Sequence, residues 1–240
     1  MAYALGFFIS ILIGITGVGA GSLMTPLLIL VLGLPAKICV GTSLIFGFVV
    51  KIITAPVYMA RRQVNWRVLA IMLAGGVPGV LAGVFLLKGL DANMITGIIG
   101  VTIMSVALFN LFRPAPHHRK DKANWLALIT LPIGAEVGFS SAGAGALGAL
   151  VLLSLTQMSA AEVVGTDLCF GLVVALIGGG TNAAMGNLSV PVLTQLLVGG
   201  IPGAILGAVL AGKVPGGKLR FGLSAAMALL GASLAYKAFF

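Results

Sequence analysis

Apolar and polar positions divide the chain into eight long apolar stretches separated by short polar loops. The stretches are Tyr3–Leu34, Ile38–Ala60, Val68–Leu87, Met94–Phe112, Trp125–Leu155, Ala161–Met185, Val190–Ala211 and Leu219–Phe239. About 20 apolar residues cross the hydrocarbon core as a helix, so each stretch is a candidate span. Two of them, Tyr3–Leu34 and Trp125–Leu155, run about 31 or 32 residues, near 47 Å as one helix, too long for a single upright crossing. Glycines interrupt both: Gly14, Gly17, Gly19 and Gly21 in the first, Gly134, Gly138, Gly143 and Gly145 in the second. The pattern predicts that each overlong stretch breaks into two half-helices of about 13 residues, near 20 Å each, forming a hairpin that dips into the membrane and returns.

The two broken stretches are copies of one another. An offset of 124 aligns the halves without a gap from Gly14 to Leu86, with roughly 26 of about 73 positions identical. Gly19-Ala20-Gly21 falls on Gly143-Ala144-Gly145, Val40-Gly41-Thr42 on Val164-Gly165-Thr166, and Phe46-Gly47 on Phe170-Gly171. Gly75-Gly76-Val77-Pro78-Gly79 falls on Gly199-Gly200-Ile201-Pro202-Gly203. Apolar helices share Leu and Ala through composition, so the weight lies on the Gly, Pro and Thr matches. The organisation expected is a first repeat over 1–112, a basic linker over 113–124 and a second repeat over 125–240, a form common among secondary transporters.

Charge placement sets the topology. Lys and Arg cluster at Arg61, Arg62 and Arg67, at Arg113, Arg119, Lys120 and Lys122, and at Lys213, Lys218 and Arg220. The positive-inside rule makes all three loops cytoplasmic, and leaves the weakly charged 88–93 and 186–189 loops outside. Two stretches lie between the central basic loop and the outer 186–189 loop, so one of them does not cross once. The glycine-broken stretch is that one. The fold class expected is an all-α polytopic membrane protein of two inverted repeats. Each repeat has a glycine-broken re-entrant helical hairpin plus three transmembrane helices, and both termini lie outside. Two tilted crossings per long stretch would give the same parity. Trp66 and Trp125 flank basic loops, as interfacial aromatics do.

Composition narrows the class. The chain is 60% hydrophobic and 8% charged, against about a quarter charged in a soluble domain. That excludes an ordinary soluble enzyme and a disordered chain; the +9 net charge sits in the loops rather than on a nucleic-acid-binding face. Cys39 and Cys169 lie inside apolar runs and give no disulfide framework. The N-terminus lacks a basic n-region and a cleavage site, so no removable signal peptide is expected. His117 and His118 sit in the basic linker without companion ligands at metal spacing. No HExxH, GxSxG or P-loop is present, so no catalytic centre, metal or cofactor is expected.

Candidate chemistry lies at the breaks. Irregular backbone at membrane depth needs protein or a water-filled cavity to satisfy its polar groups, so the two glycine tips should meet there. The second legs would start near Ser22 and Ala146, presenting free N–H groups and positive dipole ends to an anion. The plainer reading is that glycines only allow close helix packing. In register beyond the tips come Gly41-Thr42-Ser43 and Gly165-Thr166-Asp167, whose hydroxyls would donate to an oxyanion; the alternative is hydroxyls bonding back to the carbonyl four residues earlier. Lys51, Glu136 and Asp167 are ionisable groups inside apolar stretches, costly and functional by default. Lys51 would neutralise substrate charge, and Glu136 or Asp167 would take up a proton. A structural ion pair, or a Lys51 snorkelling to the interface, is the bland counterpart. Asn182 and Gln157 are weaker cavity candidates, and Pro78 and Pro202 mark matched kinks. The predicted anion site is Gly19, Gly21, Ser22, Thr42, Ser43, Gly143, Gly145, Thr166 and Asp167.

These motifs carry a family resemblance. Gly17-Val18-Gly19-Ala20-Gly21-Ser22-Leu23-Met24-Thr25-Pro26, then Pro35 and Gly41-Thr42-Ser43, with their second-half counterparts, resemble the TauE/SafE family, also called TSUP transporters. The resemblance covers essentially the whole length. It implies a multi-pass secondary transporter of the bacterial inner membrane that exports small sulfur-containing anions such as sulfite, sulfoacetate or related sulfonates. Its partners would be the small anion and the bilayer, with a homodimer compatible and no nucleic acid. Ala20 stands where many relatives carry glycine, and Asp167 stands where the first half has Ser43. The competing classes are a passive anion channel using the same dipoles and a non-transporting membrane scaffold subunit.

Overall fold

The computed structural model describes residues 1–17, 19–111, 125–210 and 216–239, with ten helices among them. They are α1 (Ala2–Thr16), α2 (Ala20–Val31), α3 (Ala36–Ala60), α4 (Trp66–Lys88), α5 (Ala92–Leu111), α6 (Leu126–Ser140), α7 (Gly143–Leu155), α8 (Ala160–Ala184), α9 (Val190–Leu210) and α10 (Gly216–Phe239). Among the described residues there is no strand, and α3, α4, α8 and α9 are each long and apolar enough to cross a membrane. Both overlong stretches break where the glycines predict, giving helices of 15 and 12 residues in the first half and 15 and 13 in the second. The second legs begin at Ala20 and Gly143, earlier than the Ser22 and Ala146 expected from sequence. The 113–124 linker with its two histidines, and the basic Lys213, lie outside the described residues.

The 124-residue offset reappears as geometry. The starts of α1, α3, α4 and α5 recur 124 residues on as the starts of α6, α8, α9 and α10. The first legs end alike: Gly17 caps α1 at φ 70° with its N–H on Ile13 O, and Ser141 caps α6 at φ 65° with its N–H on Val137 O, each 2.8 Å. The short turns match as well, with Arg62 at φ 55° and Gly186 at φ 78° in equivalent positions.

Local signals set the boundaries. Asn65 caps α4 by accepting the Val68 N–H at 3.1 Å. Ser159 and Glu162 form a reciprocal capping box at the start of α8, Ser159 N–H donating to Glu162 Oε2 at 2.9 Å. Pro26, Pro56, Pro78, Pro132 and Pro202 sit inside helices, where neighbouring helices compensate for the lost bond.

Glycine grooves join the halves to one another. A Cβ on Gly75, Gly79 or Gly83 of α4 would fall on the carbonyls of Ala127, Leu131 and Ala135 of α6. The same holds for Gly199, Gly203 and Gly207 of α9 against Tyr3, Phe7 and Ile11 of α1. Steps of four residues advance together on both helices, so α4 runs parallel to α6 and α9 parallel to α1, backbone against backbone. Gly76 meets the ring of Phe170 as Gly200 meets that of Phe46. At the centre α3 packs on α8. Gly41 near the start of α3 meets Asn187 just beyond α8, while Gly165 near the start of α8 meets Gln63 just beyond α3, so the two run antiparallel. Every one of these contacts is reciprocal, as a two-fold relation between the halves requires.

Candidate functional site

The hairpin tips meet. A Cβ on Gly21, at the start of α2, would collide with Ser141 at the break between α6 and α7. Thr25, one turn further along α2, shares a hydrogen bond with the Ser141 hydroxyl at 2.5 Å. Below this contact lies a cavity of about 10 Å³, lined by Ala20, Gly21, Ser43, Gly47, Lys51 and Ser141 among others. That volume holds roughly one water molecule.

Polar groups converge on it. Ser43, fully buried on α3, leaves its Oγ without a hydrogen-bond partner. Lys51, two turns further along α3, is 2% exposed and therefore does not snorkel to an interface. Its charge interacts with Asp167 on α8, itself 1% exposed. The two influence one another through the low-dielectric interior without direct ion-pair contact.

The second tip is arranged differently. The Asp167 carboxylate reaches α7, where its Oδ1 has no hydrogen-bond partner and lies against the Cα of Gly148. The Ser140 hydroxyl donates to Glu136 Oε1 and accepts the Ala142 N–H at 3.1 Å. Glu136 Oε2, also without a hydrogen-bond partner, lies against the Cα of Gly143. The chain thus places two of its own carboxylates at the N-terminal end of α7. In the first hairpin the position equivalent to Glu136 is Leu12, and Thr16 simply donates to the Leu12 carbonyl at 2.6 Å.

The sequence-predicted residues therefore fall into three groups. Gly21 and Ser43 line the cavity together with Lys51, while Gly19 caps α2 and its carbonyl accepts the buried Ser22 hydroxyl at 2.8 Å. Gly143, Gly145, Glu136 and Asp167 gather at the second tip. Thr42 and Thr166 are elsewhere: the Thr42 hydroxyl accepts the Ser189 N–H at 3.1 Å, and the Thr166 hydroxyl accepts the Asn65 N–H at 2.9 Å. Each threonine ties its central helix to the loop that starts a helix of the other repeat. Asn182 is buried, donates to Gly178 O at 2.9 Å and accepts from Asn187 Nδ2 at 3.2 Å. Sequence reasoning passed over Ser141. The alignment carried its signal, a serine opposite Gly17 at the break itself. Among the described residues no group of three or more His, Cys, Asp and Glu is placed to hold a metal ion.

An all-helical architecture with four long apolar helices and ionisable groups buried between them is that of a polytopic membrane protein. The chain matches the family described as "Sulfite exporter TauE/SafE" over residues 2–234, and it belongs to that family of membrane transporters. It is 27% identical to "Probable membrane transporter protein YjnA" of Bacillus subtilis, over 96% of this chain and 97% of that protein. It is also 27% identical to a "Probable membrane transporter protein" of Xylella fastidiosa, over 89% of this chain and 85% of that one. A further relative, "Probable membrane transporter protein MJ0441" of Methanocaldococcus jannaschii, is 26% identical over 64% of this chain and 60% of its own length. No solved structure matches the chain.

Proposed function

We propose that the protein is a secondary transporter in the bacterial inner membrane that exports small sulfur-containing anions, sulfite or a sulfonate such as sulfoacetate. The anion binds between the two hairpin tips at mid-membrane. The observation that carries this is Lys51, a lysine buried deep in an apolar helix bundle beside a cavity formed where two broken helices meet. Lysine at such depth is expensive, and broken helices at the interface of repeats are where transporters bind their substrates.

In this reading the two repeats are inverted in the membrane. The antiparallel packing of α3 on α8 supports that, as does the basic Arg61–Arg67 loop opposite the uncharged 186–189 loop. α1–α2 and α6–α7 are re-entrant hairpins entering from opposite sides, and α5 and α10 complete six crossings. The described cavity is too small for sulfite, so the conformation is a closed one. Movement of one repeat against the other would open the cavity to each side in turn, with Asp167 and Glu136 as groups able to exchange a proton with the cytoplasm or the outside.

The test is flux in liposomes. Purified protein should move sulfite slowly and saturably, and Lys51→Met should abolish that movement while the variant still inserts and elutes as a folded species. Currents of single-channel size would mark a passive channel instead. Failure of the purified parent to move sulfite or any sulfonate would leave a scaffold role.

A further inference from the structure

The two hairpins superpose in sequence and in contacts, yet their polar groups do not. Positions around the two tips pair at an offset of 124 residues, and several pairs differ in polarity or charge. Lys51 is answered by Ala175, Ser43 by Asp167, Leu12 by Glu136, and Ser141 by Gly17. The N-terminal half of α7 is already faced by Glu136 at Gly143 and Asp167 at Gly148. A helix N-terminus answered by internal carboxylates has no remaining attraction for a third anion. The N-terminal end of α2 has no acidic neighbour among its cavity residues. It meets Lys51, the unpartnered buried hydroxyl of Ser43 and the hydroxyl of Ser141.

Ser141 bears a second mark. It holds φ at 65°, and it is one of two non-glycine residues with positive φ among the described residues; the other is Arg62, in a turn. The equivalent first-hairpin residue is Gly17 at φ 70°, which adopts this conformation without steric penalty. Glycine would serve the backbone of the second hairpin equally well. A serine kept in a strained backbone, buried to 4% exposure, is explained by its hydroxyl. That hydroxyl sits between Thr25 and the cavity. Either hydroxyl can donate in that bond, and when Thr25 donates, the Ser141 proton is free to point at a ligand oxygen.

We infer that the duplicated tips have diverged into one oxyanion pocket and one self-neutralised counterpart, and that Ser141 completes the pocket. A single anion binds per chain, at the N-terminal end of α2, held by Lys51 Nζ, Ser43 Oγ and Ser141 Oγ. Three converging donors suit the three oxygens of a sulfite or sulfonate group better than a spherical halide. Ser141 belongs to the second repeat, whereas Ser43, Lys51 and the α2 amides belong to the first, so the bound anion bridges the two. This rests on the transporter reading above and assigns its site.

The experiment uses the purified full-length protein with sulfite as the probe, chloride as the comparison anion, and Ser141→Gly as the main variant. Equilibrium titration of the parent should give one sulfite per chain; two would overturn the single pocket. Ser141→Gly relieves the positive φ but leaves the buried Thr25 hydroxyl without its partner, so it should melt close to the parent. It should nevertheless bind sulfite about tenfold or more weakly, the effect of losing a hydrogen bond to a charged ligand, with chloride binding changed far less. Ser141→Ala, which keeps the strained backbone, should lose the same sulfite affinity. Parental sulfite affinity in both variants would overturn the role of Ser141. If Lys51→Met still abolished binding in that case, the transporter reading would survive without it. A parent that neither binds nor moves sulfite or sulfonates would overturn both.

Discussion

Thr42 and Thr166, singled out from the sequence as oxyanion donors, each hold a backbone contact between the repeats. Their matched register in the sequence set them apart, and each hydroxyl accepts a backbone N–H that lies 147 or 101 residues away in the chain. No local pattern reveals such a partner. Thr42→Val and Thr166→Val should each cost about 1–3 kcal/mol of stability, because each strands a backbone donor that the fold has removed from water. Thermal melting of the two single variants and the double variant checks this. The two losses should add, since the threonines serve separate loops. Lys51 and Asp167 make the opposite case. Both were legible as buried ionisable groups, and their mutual interaction follows from the antiparallel packing of α3 and α8. Lys51→Met removes the opposite charge that Asp167 feels and should lower the melting temperature, and Lys51→Met with Asp167→Asn should recover most of that loss in the same melting assay. Transport should stay lost in the double variant, which separates the contribution to folding from the contribution to function.

Among the elements, α4 with α6 and α1 with α9 depend on contact between bare backbones. The matched Gly-Gly-x-Pro-Gly stretches announced something shared, though not that their partners are the first legs of the opposite hairpins. Helix partnering is set by three-dimensional topology, which a repeat alignment does not encode. Gly79→Ala and Gly203→Ala each put a methyl onto a facing carbonyl, of Leu131 and Phe7 respectively, and should lower the melting temperature by similar amounts. Gly180→Ala is the control. Nothing lies within 4 Å of its would-be Cβ, so in α8 it should be neutral or stabilising by up to about 1 kcal/mol. The helix breaks themselves were legible, because an overlong apolar run with clustered glycines has few alternatives. Their starting residues shifted by two or three positions because the turn falls at Gly17 and Ser141, which take the positive φ, and the second legs begin directly after it.

Across the whole molecule, class and duplication follow from composition and from the 124-residue offset. The direction in which each half crosses rests on Lys and Arg counts, and the antiparallel central pair agrees with that assignment. Cysteine substitution tests it directly in a background with Cys39 and Cys169 replaced. Asn93→Cys, at an exposed position at the end of the weakly charged 88–93 loop, should react with a membrane-impermeant maleimide on intact cells. Arg61→Cys, exposed in the basic loop, should react only after the membrane is opened. Labelling of both from one side would refute the opposed orientation. The proposed site was harder to read than the fold because its residues come from both halves and because it rests on a difference between repeats. Matching identities located the tips; the mismatches at 51, 141 and 167 distinguish them.

The pairing of α1 with α9 also dictates an order of events at the ribosome. Tyr3 meets its partner Gly199 only after nearly two hundred further residues have been made. At about 5–20 residues per second, that leaves the first hairpin roughly 10–40 seconds in the membrane with its mating face uncovered. α6, by contrast, emerges to find α4 already waiting. Biogenesis is therefore lopsided even though the finished contacts are reciprocal. The first hairpin is the part that insertion machinery or a neighbouring nascent chain has the longest opportunity to engage.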